Sequence, residues 1–174
     1  MNYQRGLTLV ELMLVLAILG ILIVAVGPSF DNAQAQAQSD AAAHRIMASI
    51  AMARRESLRL NVPVSICPST DGQQCSDRRE HWSRGWLIYR QLDSGGSRAL
   101  REESQILRYV ADPARGLTAN RDVFTLRTDG RRSTNGTFMF CDEAGKPERR
   151  AVVVNVTGRA RSVEDLDHLP PNRC

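Results

Sequence analysis

The sequence predicts an α+β fold: a long N-terminal helix packed on a C-terminal antiparallel β-sheet head. Three observations carry this expectation. Residues 7–26 are almost all Leu, Ile, Val, Ala or Met, and as a helix they would span about 30 Å. Helical periodicity then continues to about Arg59. Beyond that point the chain turns to short β-prone runs separated by turn residues. Helix first and sheet second is an α+β order of layers.

The apolar run matches the hydrocarbon thickness of a bilayer and contains one carboxylate, Glu11. A charge at membrane depth costs roughly 2.5–3.5 kcal/mol or more, so Glu11 marks a candidate functional site that needs a partner. A cleaved secretory signal fits less well. Ala25-Val26-Gly27 could pass for its cleavage site, but Pro28 follows at once. Arg5 and the start amine lie on the leader side of the run, which keeps that end cytoplasmic and places the remainder outside the inner membrane.

Pro28 lacks an N–H donor and is expected to kink the helix or mark a boundary. From Ser29 onward Ala33, Ala37, Ala41, Ala43, Ile46, Met47, Ile50, Ala51 and Leu58 recur at three- and four-residue steps. The opposite face carries Gln34, Gln36, Gln38, Asp40, Arg45, Arg55 and Arg59. Asn61 and Val62-Pro63 end the helix. The expected organisation is a leader over 1–6, a transmembrane helix over 7–27, its amphipathic continuation over 28–60, and a β-rich head over 61–174.

Strands are expected at Val62–Cys67, Gly85–Gln91, Gln105–Val110, Val123–Arg127 and Gly136–Cys141. Ala151–Val156 is a nearly continuous β-branched run, the best candidate for a buried central strand. Thr157-Gly158 turns it into Arg159–Val163, a last short strand. Trp82 and Trp86 read as core packing.

About 115 residues follow the helical region, enough for a modest core. The net charge is +4, and of 23 basic residues only Lys146 is lysine. A GC-rich genome produces that bias; so does selection for phosphate contact, which suits the planar fork of arginine. The four cysteines allow three pairings, and disulfides persist outside the inner membrane. Cys67–Cys75 would bracket a turn-rich loop, and Cys141–Cys174 would pin the C-terminus. Neither pair has the two-residue gap of a zinc site, and His44, His81 and His168 are scattered. No Ser/His/Asp arrangement or phosphate-cradling glycine loop supports an enzyme, and no metal or cofactor is expected.

The leader and its flank, Gly6-Leu7-Thr8-Leu9-Val10-Glu11, resemble the N-terminus of type IV prepilins and pseudopilins. The resemblance implies that a prepilin peptidase cuts after Gly6 and that Leu7 becomes the methylated N-terminus. Phe is usual there, so Leu7 is a mild departure. Glu11 falls fifth after the cut, where that family has its glutamate. The new α-amine of a neighbouring subunit would pair with it during assembly, offsetting the cost of burying either charge alone. The expected partners are other pilins, the peptidase and the inner membrane.

The head resembles the GspH/FimT family. The resemblance rests on Ala53-Arg54-Arg55-Glu56, Val64-Ser65-Ile66-Cys67-Pro68-Ser69 with Asp71-Gly72 and Cys75, and Trp82 with Gly85-Trp86. It continues in Phe138-Met139-Phe140-Cys141 and in Val152-Val153-Val154-Asn155 with Gly158-Arg159-Ala160-Arg161. Two branches follow: a structural minor pseudopilin of type II secretion, and a type IV minor pilin associated with natural transformation. The paired cysteines favour the second. That branch implies binding of extracellular double-stranded DNA through Gly158, Arg159 and Arg161. Strand alternation supports it, since Arg159 and Arg161 would project together about 7 Å apart, on the scale of adjacent phosphates. Arg131, Arg132, Lys146, Arg149 and Arg150 are candidate helpers. The alternative is a solvated sheet edge where arginine discourages strand addition.

Overall fold

The structure is a computed structural model that describes residues 8–90, 105–111, 116–127, 132–141 and 147–164, without the side chains of 23–32, 35 and 147–149. The chain divides into two compact units, Met1–Gln38 and Ser39–Cys174. Helix α1 runs Leu9–Leu60. It is continuous through Pro28, so proline sits inside the helix rather than at its end.

In the first unit Thr8 caps the helix. Its hydroxyl oxygen accepts the Glu11 amide at 3.3 Å, satisfying one of the donors a helix start leaves over. The described large apolar side chains, from Leu9 to Leu22, are exposed. Among the described residues no helix is long and apolar enough to cross a membrane. The described side chains of the run stop at Leu22, short of the roughly 20 residues a crossing needs.

In the second unit one stripe of α1 is buried: Ser39, Ala42, Ala43, Ile46, Ser49, Ile50, Ala53 and Ser57. The apolar pattern alone places this stripe partly wrong. Ala33, Ala37 and Ala51 are exposed, and Leu58 is 60% exposed. Serines complete the stripe because their hydroxyls find partners. Ser49 Oγ accepts the Trp86 indole N–H at 2.9 Å. Ser57 Oγ donates to the carbonyls of Val62 at 2.7 Å and Leu126 at 3.1 Å. Asn61, at φ +53°, ends the helix in the left-handed conformation that Asn tolerates.

Among the described residues the strands are β1 Val64–Pro68, β2 Trp86–Arg90, β3 Gln105–Val110, β4 Leu117–Ala119, β5 Phe124–Leu126, β6 Gly136–Cys141, β7 Pro147–Val154 and β8 Ala160–Val163. They form two four-stranded sheets, ordered β3-β2-β1-β5 and β4-β6-β7-β8, and every pairing is antiparallel. The head is thus built on two sheets. Ile66, Ile88, Phe124 and Leu126 from the first, and Phe138, Phe140, Val152 and Val154 from the second, share one core with the helix stripe. An 3₁₀ turn, Arg79–Ser83, inserts Trp82 between them. Its ring meets Phe138 edge-on at 5.0 Å and Phe124 at 6.0 Å, while Phe124 and Phe138 stack at 4.4 Å.

Cys67 and Cys75 form a disulfide that closes the loop after β1. Inside that loop the carboxylate of Asp71 accepts the amides of Gln73 at 2.9 Å and Gln74 at 3.1 Å. Those two amides hold its carboxyl below the usual carboxylate range. A depressed pKa contributes stability that is present above the unfolded value and lost as pH falls through the folded one. The pH dependence of Asp71→Asn melting should therefore diverge from wild type only below about pH 4. A constant offset from pH 7 to pH 2 would refute this account of the loop.

Candidate nucleic-acid interface

The interface candidate is built on the β7–β8 hairpin. Val153 pairs with Arg161 and Val154 with Ala160. The turn between them, residues 155–159, is ordered by one side chain. Asn155 Oδ1 accepts the Thr157 amide at 3.0 Å, the Thr157 hydroxyl at 2.7 Å and the Arg159 amide at 2.9 Å. The Asn155 amide donates to the Arg159 carbonyl at 3.0 Å, and the Gly158 amide to the Asn155 carbonyl at 2.9 Å. This is the turn chemistry for which Asn is selected.

Gly158 is required here for two reasons. Its φ is +72°, and a Cβ would stand 2.7 Å from Leu126 Cδ1 and 3.2 Å from Ser133 Oγ. Leu126 ends β5 of the first sheet, so the turn of the second sheet seats directly against it. The Ser133 amide donates to the Val156 carbonyl at 3.0 Å. Its hydroxyl oxygen accepts the Arg127 amide at 3.0 Å.

Arg159 lies in the turn just before β8 rather than within a strand, because its amide and carbonyl both bond to Asn155. Arg159 and Arg161 are both exposed, with half-buried Ala160 between them. Among the described residues neither guanidinium has an ion pair or a side-chain hydrogen bond. Arg132 is exposed beside Ser133 at the same end of the hairpin.

Other candidates are placed differently. Arg150 shares the inner-face alternation of Val152 and Val154. It pairs with Asp40 at 2.7 Å and Glu164 at 3.0 Å, and its Nη1 donates to Ser162 Oγ at 3.3 Å. The fold does not bring it to the Arg159 end. Arg149 belongs to β7, but its side chain lies outside the described residues, as do Arg131 and Lys146. Gly6 and Leu7 also lie outside them. Glu11 is exposed in the first turn of α1, where a carboxylate complements the helix dipole. Cys141 is disulfide-bonded, while Cys174 lies outside the described residues. Among the described residues no cluster of His, Cys, Asp and Glu could hold a metal.

Sequence reasoning missed Asn155 and Ser133 as organisers of the turn, and Thr8 as the helix cap. An Asn followed two residues later by Thr-Gly, and a Thr three residues before Glu11, are the local signals that could have found them.

A helix partly buried in the core of an antiparallel head, behind an apolar N-terminal run, defines the pilin class. A profile of the GspH family, described as type II transport protein GspH, matches residues 42–158. The prokaryotic N-terminal methylation motif matches residues 1–27. The chain belongs to the GspH family of type IV minor pilins and pseudopilins. Its fold is similar to that of the type IV minor pilin FimU of Pseudomonas aeruginosa strain PAO1, solved in two crystal forms. One is 24% identical, with a TM-score of 0.51 over 76% of this chain and 92% of that one. The other is 23% identical, with a TM-score of 0.49 over 76% and 98%. No curated protein matches the chain. Family membership implies a membrane-anchored precursor, a prepilin peptidase and other pilins as partners, and a structural rather than enzymatic role.

Proposed function

We propose that the chain is a minor pilin whose head binds extracellular double-stranded DNA during uptake for natural transformation. In this reading the leader 1–6 is removed after Gly6, and Leu7 is methylated. The helix over 7–27 holds the precursor in the inner membrane as a single pass with the head outside. Glu11 then guides entry into the filament, and the assembled pilus presents the head at the cell surface. The observation that supports the DNA reading most is the hairpin tip. Two exposed guanidiniums, free of carboxylates among the described residues, stand one in the turn ordered by Asn155 and one in the strand that leaves it. Phosphate contacts of this kind are tolerant of sequence and sensitive to salt.

The test titrates the full mature chain, in neutral detergent, into labelled duplex of arbitrary sequence across a salt series. Two phosphate contacts contribute roughly 1.8 to the log–log salt slope, hence about 50-fold in affinity near 0.1 M salt. Arg159→Gln/Arg161→Gln should lose that much. Absence of binding by the native chain at low salt would sink the DNA reading.

The description of the matching family as a type II transport protein favours a second reading, a structural pseudopilin without DNA binding. It expects the same double variant to keep full function while Glu11 substitutions abolish it.

A further inference from the structure

We infer that the DNA surface spans both sheets and that Arg127 and Arg132 are part of it, with Ser133 as the residue that positions them. The inference rests on the DNA reading above and extends it to a second loop. The pairing of arginines across the molecule motivates it. Arg59, Arg78, Arg79 and Arg150 each hold a carboxylate, from Glu56, Glu80, Asp122 and Asp40, at 2.6–2.7 Å. Arg127, Arg132, Arg159 and Arg161 hold none among the described residues.

One junction links the segments that carry these four. Arg127 follows β5, where alternation sends Phe124 and Leu126 to the core and turns Thr125 and Arg127 away from it. Its amide bonds to Ser133 Oγ, and the Ser133 amide bonds to Val156 in the hairpin turn. Gly158 packs on Ser133 and Leu126 with no room for a side chain. Arg132 and Arg159 are the immediate neighbours of Ser133 and Gly158. With the Gly158 Cβ position 3.6 Å from Ser133 Cβ and 3.8 Å per residue, the Cα atoms of Arg132 and Arg159 fall within about 14 Å of each other. Arg54, Arg55, Arg84, Arg90, Arg108 and Arg121 also hold no carboxylate among the described residues, but none of them lies at this junction.

Like charges on neighbouring segments repel one another, and among the described residues no carboxylate pairs with these four. A polyanion with closely spaced phosphates relieves that repulsion, and a duplex carries one charge per about 1.7 Å of its axis. Arg127 and Arg132 thus contact phosphates next to those held by Arg159 and Arg161. They carry no base specificity, which requires contacts to base edges in the grooves.

The experiment uses the full mature chain in neutral detergent with duplex DNA across a salt series. The native slope should be about −3.6, the value for four phosphate contacts. Arg127→Gln/Arg132→Gln should lower its magnitude by roughly 1.8 and weaken binding about 50-fold near 0.1 M salt. Arg127→Lys/Arg132→Lys should retain most of the slope, since charge is kept; an equal loss in both variants would indicate a folding defect and overturn the proposal. Ser133→Ala should weaken binding with all four arginines present. If the native chain binds and Arg159→Gln/Arg161→Gln abolishes binding while Arg127→Gln/Arg132→Gln leaves the slope unchanged, this inference falls and the hairpin reading stands. If the native chain does not bind, both fall. If the Arg127 and Arg132 changes release the chain from anionic phospholipid vesicles and leave DNA binding intact, the junction is a membrane contact and the proposal is overturned.

Discussion

Trp82→Ala is expected to destabilise the head by about 3–5 kcal/mol, the range for removing a buried aromatic from a core. Calorimetry should show a fall in Tm on the order of 10–15 °C. The size follows from where the indole sits. It is completely buried, it touches an aromatic ring from each sheet, and its N–H donates to the Arg121 carbonyl at 3.2 Å. Alanine would leave a cavity at the seam of the two sheets and strand that carbonyl. Leu58→Ala provides the contrast. Sequence spacing puts Leu58 on the apolar stripe, but the side chain is mostly exposed, so the change should stay within about 0.5 kcal/mol. If Trp82→Ala cost less than 1 kcal/mol, the two-sheet core described above would be wrong.

The second large effect is expected from Cys67→Ala/Cys75→Ala. Closing a loop of this length, with partners eight residues apart, stabilises by about 2.5 kcal/mol in the chain-entropy treatment. Alanine is the suitable replacement because Cys67 is fully buried, and serine would add a hydroxyl needing a partner. Denaturant melts should show the loss. Hydrogen exchange should place it in residues 68–76 and in β3, because the ring of Tyr109 lies over Gly72. A loss confined to the second sheet would contradict this placement.

The outline of the fold was legible where chemistry is local. An apolar-rich run marked β1 and a β-branched run the end of β7, Asn61 marked the helix stop, and the turn-rich loop between Cys67 and Cys75 marked their bond. The division into two sheets was not legible, because it depends on which strands pair across distant segments. β4 escaped notice because Leu117-Thr118-Ala119 is short and has little β character on its own. It is held by register with Phe140 and Phe138. β7 begins at Pro147, earlier than its composition suggests, because the charged half still pairs with Cys141 of β6. At the candidate site, Arg159 and Arg161 were visible as a motif. The inward side of Arg150 was not, since its partner Asp40 lies more than a hundred residues earlier. The convergence of Arg127 on the same junction depends on Ser133, whose role only the folded backbone displays.

The short spacing of the Cys67–Cys75 bond also bears on how the protein is made. Two thiols eight residues apart meet by local loop closure, an event of roughly 10–100 ns. Cys141 emerges 66 residues after Cys75. Under oxidising conditions the nascent head therefore offers one adjacent pair of thiols first, and that pair is the native one. Order along the polypeptide protects the head against scrambled cross-links, and a folding defect that delays the sheets need not lead to mispaired cysteines.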